Sequence, residues 1–89
     1  MKEPKHNPAL KAAYLEVVEN QLRNDEPQET HQTLVRLMGM GYNEQDSKIL
    51  IASAVAAETS WILKNGEAFN HERFIRYLRQ LPNQDFDEE

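Results

Sequence analysis

The amino-acid sequence predicts an all-α fold: a compact four-helix domain with a central, apolar third helix and mostly antiparallel neighbours. Three observations carry this. Apolar residues recur every three or four positions in four separate segments, the period of a helix face. Each segment is bounded by residues that start or stop helices. No window alternates apolar and polar residues at period two, and no β-branched run is flanked by hairpin turns.

Asn7-Pro8 opens the first helix. Asn is a strong N-cap, and proline fits the first helical position, where its missing N–H would have no partner. Segment 8–23 places Leu10, Tyr14, Val17, Val18 and Leu22 on one arc, and Glu16, Glu19, Asn20 and Arg23 on the other. Asn24-Asp25-Glu26-Pro27 stops that helix and starts the second, with Pro27 in the first turn and Glu29 near the positive helix end. Leu34, Leu37 and Met38 supply its apolar face, and Gly39 and Gly41 bracket its end.

Asn43 caps the third helix, with Asp46 three residues on as in a short capping box. Segment 49–63 is rich in Ala, Ile and Val, and its polar strip is narrow: Asp46, Ser53, Ser60 and Lys64. A helix that is apolar around most of its circumference touches several neighbours. Ala52, Ala54, Ala56 and Ala57 let them approach closely, and Asn65-Gly66 ends the run. Asn70 caps the fourth helix, with Phe69 and Phe74 placed as a hydrophobic staple. Phe74, Tyr77, Leu78 and Leu81 form its inner face. Glu72, Arg73, Arg76, Arg79 and Gln80 form its outer face, and Pro82 stops it.

At 89 residues the chain is one domain with a small core. Residues 1–6 read as a flexible lead, 7–82 as the helical body and 83–89 as a flexible acidic tail. There is no cysteine, which excludes disulfides, thiolate metal sites and cysteine nucleophiles. No run approaches the roughly 18 apolar residues of a membrane span, and the N-terminus leads into no apolar signal segment. A cytoplasmic location without membrane contact is therefore expected. Fifteen acidic against ten basic residues give a net charge of −5, which speaks against nucleic acid as a partner. Asp85, Asp87, Glu88 and Glu89 carry four of those five charges, so the body is nearly neutral.

Four polar residues stand where an apolar one is expected: Lys11, Gln21, His31 and Glu58. Buried polar groups are costly unless paired. One reading joins the four in a core cluster, with Glu58 accepting from Lys11 or His31 and Gln21 bridging, as a ligand- or ion-handling site. The plainer and preferred reading lets Lys11 snorkel, gives Gln21 and His31 to loop carbonyls, and leaves Glu58 at an edge. Arg73, Arg76 and Arg79 form a basic stripe. Such a stripe is ordinarily a solvated face, but it can also dock an acidic partner or the chain's own acidic tail. His6, His31 and His71 lack ligand spacing, so no metal or other cofactor is expected. No Gly-x-Ser-x-Gly elbow and no glycine-rich phosphate loop is present, so no catalytic residue is assigned.

Two resemblances add to this. Asn7-Pro8-Ala9-Leu10, Val17-Val18-Glu19-Asn20-Gln21-Leu22, Pro27-Gln28-Glu29, Leu34-x-x-Leu37 running to Gly41-Tyr42, Ala52-Ser53, Gly66-x-x-Phe69 and Tyr77-x-x-x-Leu81-Pro82 span most of the chain. In this order they resemble a group of small all-α bacterial domains of unknown function. The resemblance implies a His–x3–His pair on the first helix and another near the start of the third, with a metal or polar site between them. Here those positions hold Lys11, Leu15, Gln45 and Ile49, so the resemblance implies that the imidazoles are lost and that Lys11 stands where a ligand stood. Separately, Leu37-Met38-Gly39-Met40-Gly41-Tyr42 resembles the first-turn region of ubiquitin-associated domains, whose Met-Gly-Phe/Tyr loop helps form a ubiquitin-binding face. The uninterrupted run 49–63 departs from those domains, whose second helix breaks early.

The expected role is a non-enzymatic interaction or assembly domain whose partner is another protein or a second copy of the chain. A nearly all-apolar central helix in so short a chain favours such contacts.

Overall fold

The computed structural model describes residues 8–86. It contains α1 (Pro8–Asn24), α2 (Gln28–Gly39), α3 (Glu44–Asn65) and α4 (His71–Gln80), and no strand among those residues. The lead at 1–6, the expected cap Asn7 and the tail residues 87–89 lie outside the described residues.

The helix boundaries follow from local chemistry. Asn43 Oδ1 accepts from the Asp46 amide at 2.7 Å, and Asn70 Oδ1 accepts from the Arg73 amide at 2.9 Å. Each satisfies an amide that the first turn leaves without a partner. Pro27 stands one residue earlier than expected, as the N-cap of α2 rather than inside its first turn. The end of α2 is a Schellman motif. The Tyr42 amide donates to Leu37 O, the Gly41 amide donates to Met38 O, and Gly41 takes φ +108°. Gly66, at φ +64°, closes α3, and the amides of residues 66 and 67 both donate to Ile62 O. The staple forms, with the Phe69 and Phe74 ring centroids 5.7 Å apart.

The central helix is α3, which packs against each of the other three, while α2 also touches α1 and α4. The core is built from Val18, Leu37, Ile51, Ala52, Ala54, Val55, Phe74, Ile75, Tyr77, Leu78 and Leu81. Ala52 and Ala54 are both buried and keep the helix surfaces close.

Two helix faces differ from expectation. On α1 only Val18 is fully buried, and Leu10 and Val17 are exposed. The first turns of that helix therefore carry no buried face for Lys11 to interrupt. On α2 the inner face is Thr30, Thr33 and Leu37, and Met38 lies outside with His31 and Val35. The helix is rotated by about one residue from the apolar arc, since successive residues lie about 100° apart. Thr30 tolerates burial because its hydroxyl donates to Gln21 Oε1 at 2.8 Å.

Candidate functional site

The most concentrated polar chemistry lies where α3 ends and α4 begins. Glu58, on α3, is only 1% exposed, and Arg73, in the first turn of α4, is 8% exposed. The guanidinium meets the carboxylate as a fork: Nε donates to Oε1 at 2.7 Å and Nη2 to Oε2 at 2.9 Å. The Asn70 amide donates to the same Oε2 at 2.8 Å. Arg73 Nη1 reaches Glu67 Oε1 at 3.2 Å, and that oxygen also accepts from Trp61 Nε1 at 2.8 Å. The guanidinium carbon lies 4.8 Å from the Trp61 ring centroid, within cation–π range. The hydrogen bonds to Glu58 come first in raising the Arg73 pKa above its ordinary value, and burial opposes them.

This arrangement fastens the 66–70 connection and the start of α4 onto α3. Three N–H donors hold the Glu58 carboxylate, one on Oε1 and two on Oε2. Arg73 thus leaves the basic stripe. It was expected on the outer face, but it flanks the inner arc of α4, and a buried carboxylate draws its long side chain inward.

The four polar candidates do not converge. Glu58 accepts from Arg73, not from Lys11 or His31, and it is buried rather than at an edge. Lys11 is exposed. His31 is exposed too, with Nδ1 4.0 Å from Asp25. Gln21 is half-buried and turned to Thr30. Gln21 and Glu58 do line one pocket of about 160 Å³, with Val17, Val55, Thr59, Phe69 and Phe74. Of the positions where the family resemblance places histidines, Leu15 and Ile49 are half-buried while Lys11 and Gln45 are exposed. Among the described residues no group of three His, Asp or Glu side chains could hold a metal ion. No helix among them is long and apolar enough to cross a membrane.

Sequence reasoning missed two ties between helices. Arg36 donates to Leu78 O at 2.9 Å and to Leu81 O at 2.8 Å, placing a cation at the negative end of α4. Lys48 Nζ sits between Glu19, at 2.8 Å, and Glu44, at 3.0 Å. The hydrogen bond to Glu19, then that to Glu44, raises the Lys48 pKa above its ordinary value. The i, i+4 spacing of Glu44 and Lys48 was a usable signal for half of the second tie, while the contacts with α1 and α4 have no local signature.

The second feature of the surface is apolar. Val35 is 59% exposed, Met40 55%, Met38 44% and Tyr42 36%. Val35 and Met38 are neighbours on α2, at i and i+3. Met40 Sδ lies 3.9 Å from Arg36 Nη1, and the Schellman bond holds Tyr42 against the same helix end. Met-Gly-Met-Gly-Tyr thus turns the chain and leaves all three of its large side chains exposed. No family model matches the chain, and no curated protein or solved structure matches it either.

Proposed function

We propose that this protein is a non-enzymatic interaction domain that binds another protein through Val35, Met38, Met40 and Tyr42. The observation that carries the reading is the exposure of four large apolar side chains within eight residues, 35–42, along the second half of α2 and the turn that follows it. Their summed exposed surface is on the order of a few hundred Å², and a partner that covered all four would bury an area of the size typical of contact patches on small monomers. That is short of the roughly 800 Å² per partner of a standard stable interface. The contact is therefore a reversible one, and a second copy of the chain on this patch would be held only weakly. Methionine suits the role, because its flexible, polarizable side chain adapts to the surface it meets. The resemblance to ubiquitin-associated domains supports the same face, since Met40 and Tyr42 are the exposed pair. A partner of ubiquitin-like fold is one form of this reading.

The test places a photo-crosslinking residue at position 38 in the native cell and purifies the captured protein. That protein is expected to bind the purified wild-type chain, and Val35→Asp or Met40→Asp is expected to weaken binding at least tenfold without altering the helical spectrum. Equal binding to wild type and both variants would refute the assignment. Titrating ubiquitin into the isotope-labelled chain separates the two forms: shifts confined to residues 35–42 support a ubiquitin-like partner, and their absence removes that form.

A further inference from the structure

A pocket of about 160 Å³ opens between α1, α3 and the connection that leads into α4, with Val17, Val55, Phe69 and Phe74 as its apolar walls. Val55 and Phe74 are buried, whereas Val17 and Phe69 are exposed and form its rim. The walls are held from behind. The Asn70 amide, next to Phe69, donates to Glu58 Oε2 at 2.8 Å. The Phe69 and Phe74 ring centroids lie 5.7 Å apart, with the rings tilted by 54°. Three polar residues complete the lining: Gln21 of α1, and Glu58 and Thr59 of α3. Gln21 Oε1 accepts from the Thr30 hydroxyl at 2.8 Å, which orients the amide group. Among the described residues, Gln21 Nε2 and the Thr59 hydroxyl have no hydrogen-bond partner.

Size and wall chemistry define the occupant. An apolar cavity of about 150 Å³ holds one benzene molecule, so this volume suits a single six-membered ring. The two phenylalanines favour an aromatic ring, because edge-to-face and offset contacts add to simple burial. The occupant is uncharged. A carboxylate would meet Glu58 with no free cation to offset it, since Arg73 is engaged by Glu58 and Glu67. A cation would lose its hydration shell in a largely apolar socket whose one carboxylate already holds three donors. A hydroxyl fits both vacant polar groups, since it can accept from Gln21 Nε2 and donate to Thr59 Oγ1. We propose that this pocket binds a small, uncharged aromatic alcohol of the phenol class, with its ring among Val17, Val55 and the two phenylalanines and its hydroxyl on Gln21. The pocket is smaller than the ordinary cofactor site, so it takes one ring and not a fused system. It shares no residue with segment 35–42, and its failure would leave the reading of that surface untouched.

Phenol itself is the probe, titrated into the isotope-labelled full chain. Saturable amide shifts confined to segments 17–21, 55–59 and 69–74 are expected, with half-saturation at about 1 mM or below. Overhauser contacts should join the phenol ring protons to the methyl groups of Val17 and Val55. Benzene lacks the hydroxyl and should bind roughly threefold more weakly, or worse. Gln21→Met/Thr30→Val removes the donor together with the hydroxyl that orients it. It should lower the affinity for phenol to that for benzene and leave benzene binding as it was. Val17→Phe puts a larger side chain at the rim and should abolish binding of both with the helical spectrum unchanged. Shifts that fail to saturate by about 10 mM overturn the proposal. So does the absence of the Overhauser contacts, benzene binding as tightly as phenol, or a folded Val17→Phe that binds phenol as the wild type does. The wild-type measurements decide the question on their own if either variant folds poorly.

Discussion

Glu58 is a carboxylate with almost no access to water, and a buried charge is tolerated only when it is paired and its acceptor sites are filled. Arg73 and the Asn70 amide meet both conditions. Removing one partner of such a pair is far more damaging than replacing both. Glu58→Ala is expected to lower the melting midpoint by roughly 10 °C or more. The double variant Glu58→Met/Arg73→Met should recover much of that loss, as read by circular dichroism. Trp61, the single tryptophan, contacts this cluster, so its fluorescence should shift in Glu58→Ala well below the global transition. Ser47 is the opposite case: its hydroxyl is buried and has no hydrogen-bond partner. Ser47→Ala removes an unsatisfied group and should leave stability unchanged or raise the midpoint by a few degrees, whereas a clear drop would mean the hydroxyl has a partner after all. That Glu58 was anomalous was legible from its arc of Ile51, Val55 and Ile62. Its partner was not, because Arg73 stands fifteen positions away across a helix-to-helix contact and a wheel places it outside.

At the scale of elements, the starts and stops were readable because caps act over three or four residues: Asn43, Asn70, Gly41 and Gly66 all act as expected. The rotation of α2 was not readable, because it depends on Gln21 of another helix receiving Thr30. The two glycines of Met-Gly-Met-Gly should respond oppositely to alanine. Gly39 is helical with open space around it, so Gly39→Ala should stabilise by about 0.5–1 kcal/mol. Gly41 also has open space, but at φ +108° a Cβ is strained, so Gly41→Ala should cost about 1–2 kcal/mol in chemical denaturation. The Lys48 tie between α1 and α3 gives a pH dependence. Its pKa is raised in the folded state, so its contribution is complete below the ordinary value of 10.5 and is lost as pH rises through the folded value. The unfolding midpoints of wild type and Lys48→Met should therefore differ at pH 8 and draw together as pH rises beyond 10.5. A gap that does not narrow as pH rises beyond 10.5 would mean the lysine acts through packing of its stem rather than its charge.

Across the whole molecule, the radius of gyration is 12.6 Å, close to the ~12 Å of a compact chain this long. The helices close around α3, yet among the described residues eight large apolar side chains remain exposed, from Leu10 on α1 to Phe69 before α4. A nearly neutral body with that surface has little electrostatic protection against its own copies, and residues 87–89 supply three of the five net negative charges. Those three charges are therefore expected to oppose association between copies. Deleting residues 87–89 should make the chain self-associate near neutral pH, seen as an average mass in sedimentation that rises with concentration. If the contact runs through the exposed end of α2, adding Val35→Asp to the shortened chain should return the mass to that of a monomer. If it runs through the apolar surface around Phe69 instead, Val35→Asp will leave the association unchanged and Phe69→Asp will abolish it. The comparison thus identifies which apolar surface, that of α2 or that around Phe69, carries the association.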